Sequence, residues 1–152
     1  MRASRAVDIL HGTLMFLGVG GCTSAYWIAF FSSNLTIPAG RQGALTNEEY
    51  MAFQAAFPLP DAAMAACFAI AGVLLWGGDR AAPFWALLAS GMMLFLALID
   101  VNFNLIHGMY ATIQSDPAIQ IEAAINAGCV AFALWTAARM WNHPLRIEPP
   151  SA

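Results

Sequence analysis

Four long apolar runs decide what this chain can become. They cover residues 7–31, 60–76, 83–106 and 118–141. At a helical rise of about 1.5 Å per residue, the first, third and fourth reach about 35 Å, enough to cross a hydrocarbon layer about 30 Å thick. The second run is shorter and fits either a re-entrant helix or a crossing. The loops that bracket it, FPLP (57–60) and GGDRAAP (77–83), favour the crossing. Only 10% of the residues are charged and 60% are hydrophobic, against about 25% charged in a soluble domain. Too little polar surface remains to coat a water-soluble globule. The reading is an all-α, single transmembrane domain spanning 1–152, an integral membrane four-helix antiparallel bundle whose first partner is the lipid bilayer.

Arginine placement predicts the orientation. Arg2 and Arg5 precede the first run, Arg80 separates the second from the third, and Arg139 and Arg146 close the last. The opposite side carries Arg41 beside Glu48, Glu49 and Asp116. The positive-inside rule then puts both termini in the cytoplasm, with a bacterial-type inner or plasma membrane as the expected location. Arg2 and Arg5 before an apolar stretch resemble a signal peptide, and VGGC (19–22) resembles a lipoprotein cleavage box. The run continues to Phe31, too long for such a leader, so an uncleaved first crossing is expected. The net charge of −3 and the absence of a basic patch give no nucleic-acid partner. Cys22, Cys67 and Cys129 are odd in number, far apart and without CxxC spacing. They read as small core hydrophobes rather than a disulfide framework.

The longest connection, 32–59, falls on the outer side. Within it TNEEYMAFQAAF (46–57) places Thr46 and Glu49 at capping-box spacing ahead of Tyr50, Met51, Phe53 and Phe57. This predicts a short helix, lying either in the headgroup region with its aromatics inward or packed on the bundle. The triplet 34–36 matches a glycosylation sequon of no specificity. Small residues at helical spacing predict close helix approach: Gly18, Cys22, Ala25 and Ala29; Ala65, Ala69 and Gly72; Ala124, Ala127, Gly128 and Ala131. Most tryptophans fall near the ends of the runs, where indoles favour the interface. Trp135 lies deeper and reads as packing.

Polar residues inside the runs are the functional signal. Asp100 lies about six residues, roughly 9 Å, inside the outer end of the third run. Asn104 and His107 follow it at helical spacing on one face, while Asn102 points elsewhere. A charge near the bilayer centre costs about 2.5–3.5 kcal/mol even on the lenient insertion scale, so Asp100 should face protein or water. The last run enters from the same side, placing Glu122 and Asn126 at similar depths, and Asp61 opens the second run there. Tyr26 and Ser24 of the first run complete the band. The plain alternatives are that Asp61 caps its helix, that Glu122 complements a helix N-terminus, and that His107 ends its helix at the interface. Asn104 and Asn126 also serve as ordinary interhelical hydrogen-bonding groups.

The pattern therefore predicts a polar acid, amide and histidine pocket in the outer half of the bundle. Asp100, His107 and Glu122 are its candidate catalytic acid/base groups, and its candidate metal ligands if it holds one. Asp61, Asn104, Asn126 and Tyr26 are candidate ligand-binding residues. A small molecule, lipid-like ligand or cation fits this set. An accessory subunit of a larger membrane complex and an oligomeric proton- or ion-coupled transporter are the other classes, and either brings a homo-oligomer or a larger complex as partner. No motif specifies a cofactor. At the opposite end Asp8 and His11 sit three apart and read as a surface contact. His143 makes a bis-His site with His11 geometrically feasible, whereas depth forbids a bridge between His11 and His107.

Overall fold

Proline and glycine set the helix ends. In the computed structural model, which describes residues 2–32 and 47–144, every regular element among the described residues is helical. The first run forms α1 (Arg2–Thr13), a wide π-helical stretch Leu14–Gly21, and α2 (Cys22–Ser32), in unbroken succession. The wide turn coincides with Gly18, Gly20 and Gly21, and the Cys22 N–H is shared between the carbonyls of Gly18 and Val19. A short α3 (Asn47–Gln54) precedes α4 (Pro58–Gly77), whose prolines occupy the first turn, where no N–H is needed. At its other end Gly78 takes φ +73° and the Asp79 N–H reaches back to the Leu74 carbonyl, closing the helix in a Schellman turn. Asp79 Oδ1 then accepts the Ala81 N–H at 2.8 Å and leads into α5 (Ala82–Ile106). A 3₁₀ turn, Met109–Thr112, links α5 to α6 (Pro117–Trp141).

Four stretches are long and apolar enough to cross a membrane: Arg5–Ser32, Glu48–Gly77, Ala82–Ile106 and Ile119–Trp141. The doubtful second run gains length because Pro58 and Leu59 join it, giving α4 20 residues, about 30 Å of helix. The outward faces are apolar. Leu17, Phe95, Leu98, Ile106 and Leu134 are each more than half exposed. Thr46, Arg41, Arg146 and the triplet 34–36 lie outside the described residues.

The first helix packs on α4, α4 on α5, and α5 on α6. Their shared core holds Met15, Met64, Phe68, Leu75, Met93 and Met140. Small residues bear out the sequence expectation on α4, where Ala65 and Gly72 are buried, but not on the first and last helices. A further buried stripe lies on α5, through Ala82, Ala86, Ala89, Ser90 and Ala97. On α6 the inward face is instead Ile119, Asn126, Ala133 and Met140, one residue every seven. That register turns Ala124, Ala127, Gly128 and Ala131 outward. On the first helix Cys22, Ala25 and Ala29 are likewise exposed. A close backbone approach joins Gly12 and Gly72, where a Cβ on Gly72 would stand 2.6 Å from the Gly12 carbonyl oxygen.

One end of the bundle is drawn shut. The Arg5 guanidinium donates to the Leu75 carbonyl at 3.1 Å and to that of Trp76, capping α4. Asp8 pairs with Arg139 and accepts from His143 Nε2 at 3.1 Å. His11 is fully buried, stacks on Trp135 with ring centroids 4.2 Å apart, and shares a 3.0 Å hydrogen bond with Thr136. The surface contact expected for Asp8 and His11 is thus a buried cluster joining α1 to α6.

Candidate functional site

Beyond that closed end the first and last helices face each other across a cavity of about 620 Å³. Gly18, Cys22, Tyr26 and Trp27 line one wall, and Glu122, Ile125, Asn126, Cys129 and Phe132 the opposite one. Its floor comes from Asp61 and Met64 of α4 and from Met93, Ala97 and Asp100 of α5. Ile121 and Ile125 line it while being 62% and 55% exposed, and Tyr26 is 44% exposed. Those values on facing walls mean that the cavity opens sideways, between the first helix and α6. The wide π-helical turn contributes Gly18 and Val19 to the wall, where the missing glycine side chain leaves room.

The polar groups form three anchored pairs. Asn126 Nδ2 donates to Asp100 Oδ2 at 2.6 Å and also reaches the Tyr110 hydroxyl at 3.3 Å. Asn104 is fully buried behind the wall, and its Nδ2 donates to Glu122 Oε1 at 2.8 Å and to the Asp100 carbonyl at 3.0 Å. Asp61 Oδ2 accepts the Trp27 indole N–H at 2.9 Å. The pairing has a simple origin: Asp100 and Asn104 stand one turn apart on α5, Glu122 and Asn126 one turn apart on α6, and the two ladders meet with acid against amide. Each carboxylate is thereby oriented by a donor on another helix, which suits a group that must face a cavity in low dielectric.

The structure therefore brings Asp61, Asp100, Glu122, Asn126 and Tyr26 around one space and puts Asn104 immediately behind it. His107 stands apart. The regular helix stops at Ile106, so extending its face by another 100° per residue fails. The His107 ring packs on Phe103, with centroids 4.4 Å apart, and does not line the cavity. Among the described residues no three His, Cys, Asp or Glu side chains converge as a metal-binding group. The set Asp100, His107 and Glu122 is thus not assembled, either for a metal or as a catalytic trio. Ser24 donates to the Gly20 carbonyl of its own helix and lies outside the cavity lining.

Two lining residues escaped sequence reasoning. Tyr50 and Gln54 of α3 are buried, bonded to each other at 3.1 Å, and close one end of the cavity. Phe53 of the same helix stacks flat on Phe103 of α5, with centroids 3.6 Å apart. α3 is therefore packed on the bundle. The only signal for this was the spacing of Tyr50, Phe53 and Gln54 along one helical face, with the polar Gln54 hiding it. Cys22 and Cys129 are free thiols on the cavity wall, whereas Cys67 packs against the core. Comparison with known proteins finds no family model that matches the chain, no similar curated protein and no similar solved structure.

Proposed function

We propose that this chain is an integral membrane protein that takes an amphiphilic, lipid-like molecule from the bilayer through a lateral opening and holds its polar end against Asp61, Asp100, Glu122 and Asn126. The observation that carries the reading is the cavity itself. At about 620 Å³ it falls within the about 300–1,000 Å³ typical of small-molecule sites, and like them it combines apolar walls with a few fixed polar groups. Its mouth lies between two helices whose outer faces are apolar, so a ligand dissolved in hydrocarbon has a direct path. The four helices form an antiparallel bundle with both termini cytoplasmic in this reading. Support comes from Arg5 and Arg139 at the closed end and Arg80 in the turn between α4 and α5, at the end of the bundle opposite Asp61, Asp100 and Glu122. The cavity then belongs to the outer half, and acid/base chemistry on the ligand rests with Asp100 and Glu122.

The test is direct. Protein extracted from its native membrane in a mild detergent should carry about one equivalent of a co-purifying amphiphile, seen by native mass spectrometry. Cys129→Trp, which fills the cavity from its wall, should lose that mass while leaving the helical circular dichroism unchanged. A wild-type protein without a bound species, indistinguishable from the filled variant, removes the reading. A second reading, an accessory subunit, is favoured by the outward Ala124, Ala127 and Ala131 face of α6, the kind of surface that lets another membrane helix approach closely. It predicts a fixed partner that dissociates when Ala127, which does not line the cavity, is replaced by Leu. Ion-coupled transport in an oligomer finds no support beyond the intramembrane acids themselves.

A further inference from the structure

Resting on the cavity reading, we infer that the site measures chain length: it takes one hydrocarbon chain of about eight carbons, polar end level with Asp100 and methyl end against Phe132, which sets the limit. The polar groups mark one level. Asn126 is bonded to Asp100 and Trp27 to Asp61, so each of the four long helices brings a polar lining group to the outer part of the space. Inward of that level the described lining of α5 and α6 is apolar, from Ala97 and Cys129 to Met93 and Phe132, the thiol acting as a small hydrophobe. The lining also closes as it deepens. Ile121 and Ile125 beside the polar groups are 62% and 55% exposed, whereas Met64 and Met93 at the inner end are 5% and 4% exposed. A chain therefore enters sideways near the polar groups and runs inward along the bundle axis.

The space ends at a floor to which every long helix contributes. One turn past Val19, Met64, Met93 and Phe132 stand Met15, Phe68, Ala89 and Thr136, each 0% exposed and none of them in the lining. Phe132 is the ring at this floor, braced with its centroid 5.7 Å from that of Phe68 and 6.0 Å from that of the buried His11. Asp100 to Met93 is about 10.5 Å of α5, and Asn126 to Phe132 about 9 Å of α6. Two walls on different helices thus give one depth. A carbon–carbon bond of about 1.52 Å in a zigzag of about 111° advances about 1.25 Å, so about seven or eight carbons fill it. Packing behind the floor leaves a longer chain no way past Phe132, so it must buckle or displace the ring. Gly18 lines the same inner end, and a Cβ there meets only Leu14 Cδ2, at 4.0 Å. A larger side chain at that position has room and shortens the space.

A homologous series of neutral 1,2-alkanediols, from hexane- to hexadecanediol, reads the limit directly. The protein in phosphatidylcholine nanodiscs is given the mixture at equal mole fractions in the bilayer, and native mass spectrometry identifies the diols retained, with Cys129→Trp as the blank. Carbons that fit the cavity replace equivalent contacts in lipid, so diols up to about eight carbons should be retained alike, and the twelve-carbon diol at least about tenfold less. Phe132→Ala should move the limit up by about two to four carbons at the same advance per carbon. Gly18→Leu, which disturbs no packed ring, should move it down, so that the eight-carbon diol loses to the six-carbon one. Equal retention of the eight- and twelve-carbon diols, unaltered by either variant, leaves the cavity reading standing and overturns the length limit. If no diol is retained, the species that co-purifies from the native membrane decides. A chain of about eight carbons on fragmentation upholds the limit, and one of about fourteen or more overturns it. Diols unbound and the native protein empty overturn both readings.

Discussion

Replacing Gly72 by alanine adds a single methyl group where α1 and α4 approach most closely among the described glycines. That methyl would meet the Gly12 carbonyl oxygen at 2.6 Å, with the Phe16 Cβ at 3.3 Å and the Phe16 backbone nitrogen at 3.4 Å. Carbon and carbonyl oxygen settle at about 3.3–3.6 Å, so α1 must move away from α4 by roughly 0.7–1 Å. The obstructing atoms are backbone and cannot swing aside as a side-chain tip does. The same movement stretches the hydrogen bond from Trp76 Nε1 to the Ile9 carbonyl, already 3.2 Å long. Overpacking of this kind costs about 1–3 kcal/mol, and the weakened hydrogen bond adds about 1 kcal/mol. Against this, alanine gains about 1 kcal/mol over glycine within a helix. The net destabilisation is about 1–3 kcal/mol, a factor of about 5 to 150 in the folding equilibrium.

The control is chemically identical. At Gly128 an added Cβ finds nothing within 4 Å, so Gly128→Ala should show only the propensity gain and stabilise slightly. Unfolding of both variants in mixed micelles with increasing dodecyl sulfate, followed by circular dichroism, reads the two signs side by side. A Gly12→Ala, Gly72→Ala double variant should cost less than the sum of the singles, because the helices separate once for both methyls. Equal effects of the same sign at Gly72 and Gly128 would refute the close crossing and, with it, the attachment of α1 to α4 that holds the first wall of the cavity.

Three further outcomes follow from the same geometry. Asp8→Leu leaves Arg139 and His143 without their shared carboxylate and should destabilise by about 1–3 kcal/mol, discounted for partial exposure; Arg139→Met added to it should recover much of the loss in thermal unfolding. Asn104→Leu removes the donor to Glu122 together with an unsatisfied buried acceptor, so stability should change by less than about 1 kcal/mol, while less of the co-purifying amphiphile is retained in native mass spectrometry. Gly78→Ala, forced to adopt φ +73°, should cost about 1–2 kcal/mol, whereas Gly77→Ala, whose Cβ meets open space, should cost nothing measurable in the same unfolding experiment.

Depth and helical spacing were readable from residue numbers because both follow from a fixed rise and a fixed angle per residue. That is why Asp100 with Asn104, and Glu122 with Asn126, could be placed at one level before any contact was seen. His107 shows where the extrapolation ends. Its φ of −90° and ψ of 7°, followed by the left-handed Gly108, leave the helix, and one broken turn redirects every later side chain. The small-residue stripe of α4 is buried through Ala65 and Gly72, whereas those of the first and last helices failed for a different reason. A stripe says that a face can come close to something, but rotation of the helix decides which neighbour receives it. On α6 the larger Ile119 and Met140 took the interior with Asn126 and Ala133, and the small face turned out. Tyr50 and Gln54 were hidden because a short helix in a connection has no depth that sequence alone can assign.

The two ends of the bundle depend on each other. At the closed end, charged groups tie α1 to α6 through Asp8, Arg139 and His143, and Gly12 lies within a Cβ's reach of α4. At the other end the same two helices contribute facing walls to the cavity instead of packing together. Two straight helices held tightly at one end have only one way to admit a ligand, which is to part at the other. The π-helical stretch Leu14–Gly21 stands between these regions and gives the first helix its change of width where the cavity begins. Loosening the closed end by Asp8→Leu should therefore change ligand affinity even though Asp8 is remote from the cavity. Restoring the clamp with Glu at position 8 should restore affinity in parallel with stability. If Asp8→Leu retains the co-purifying amphiphile as fully as wild type does, the clamp serves stability alone and the walls are held apart by α4 and α5.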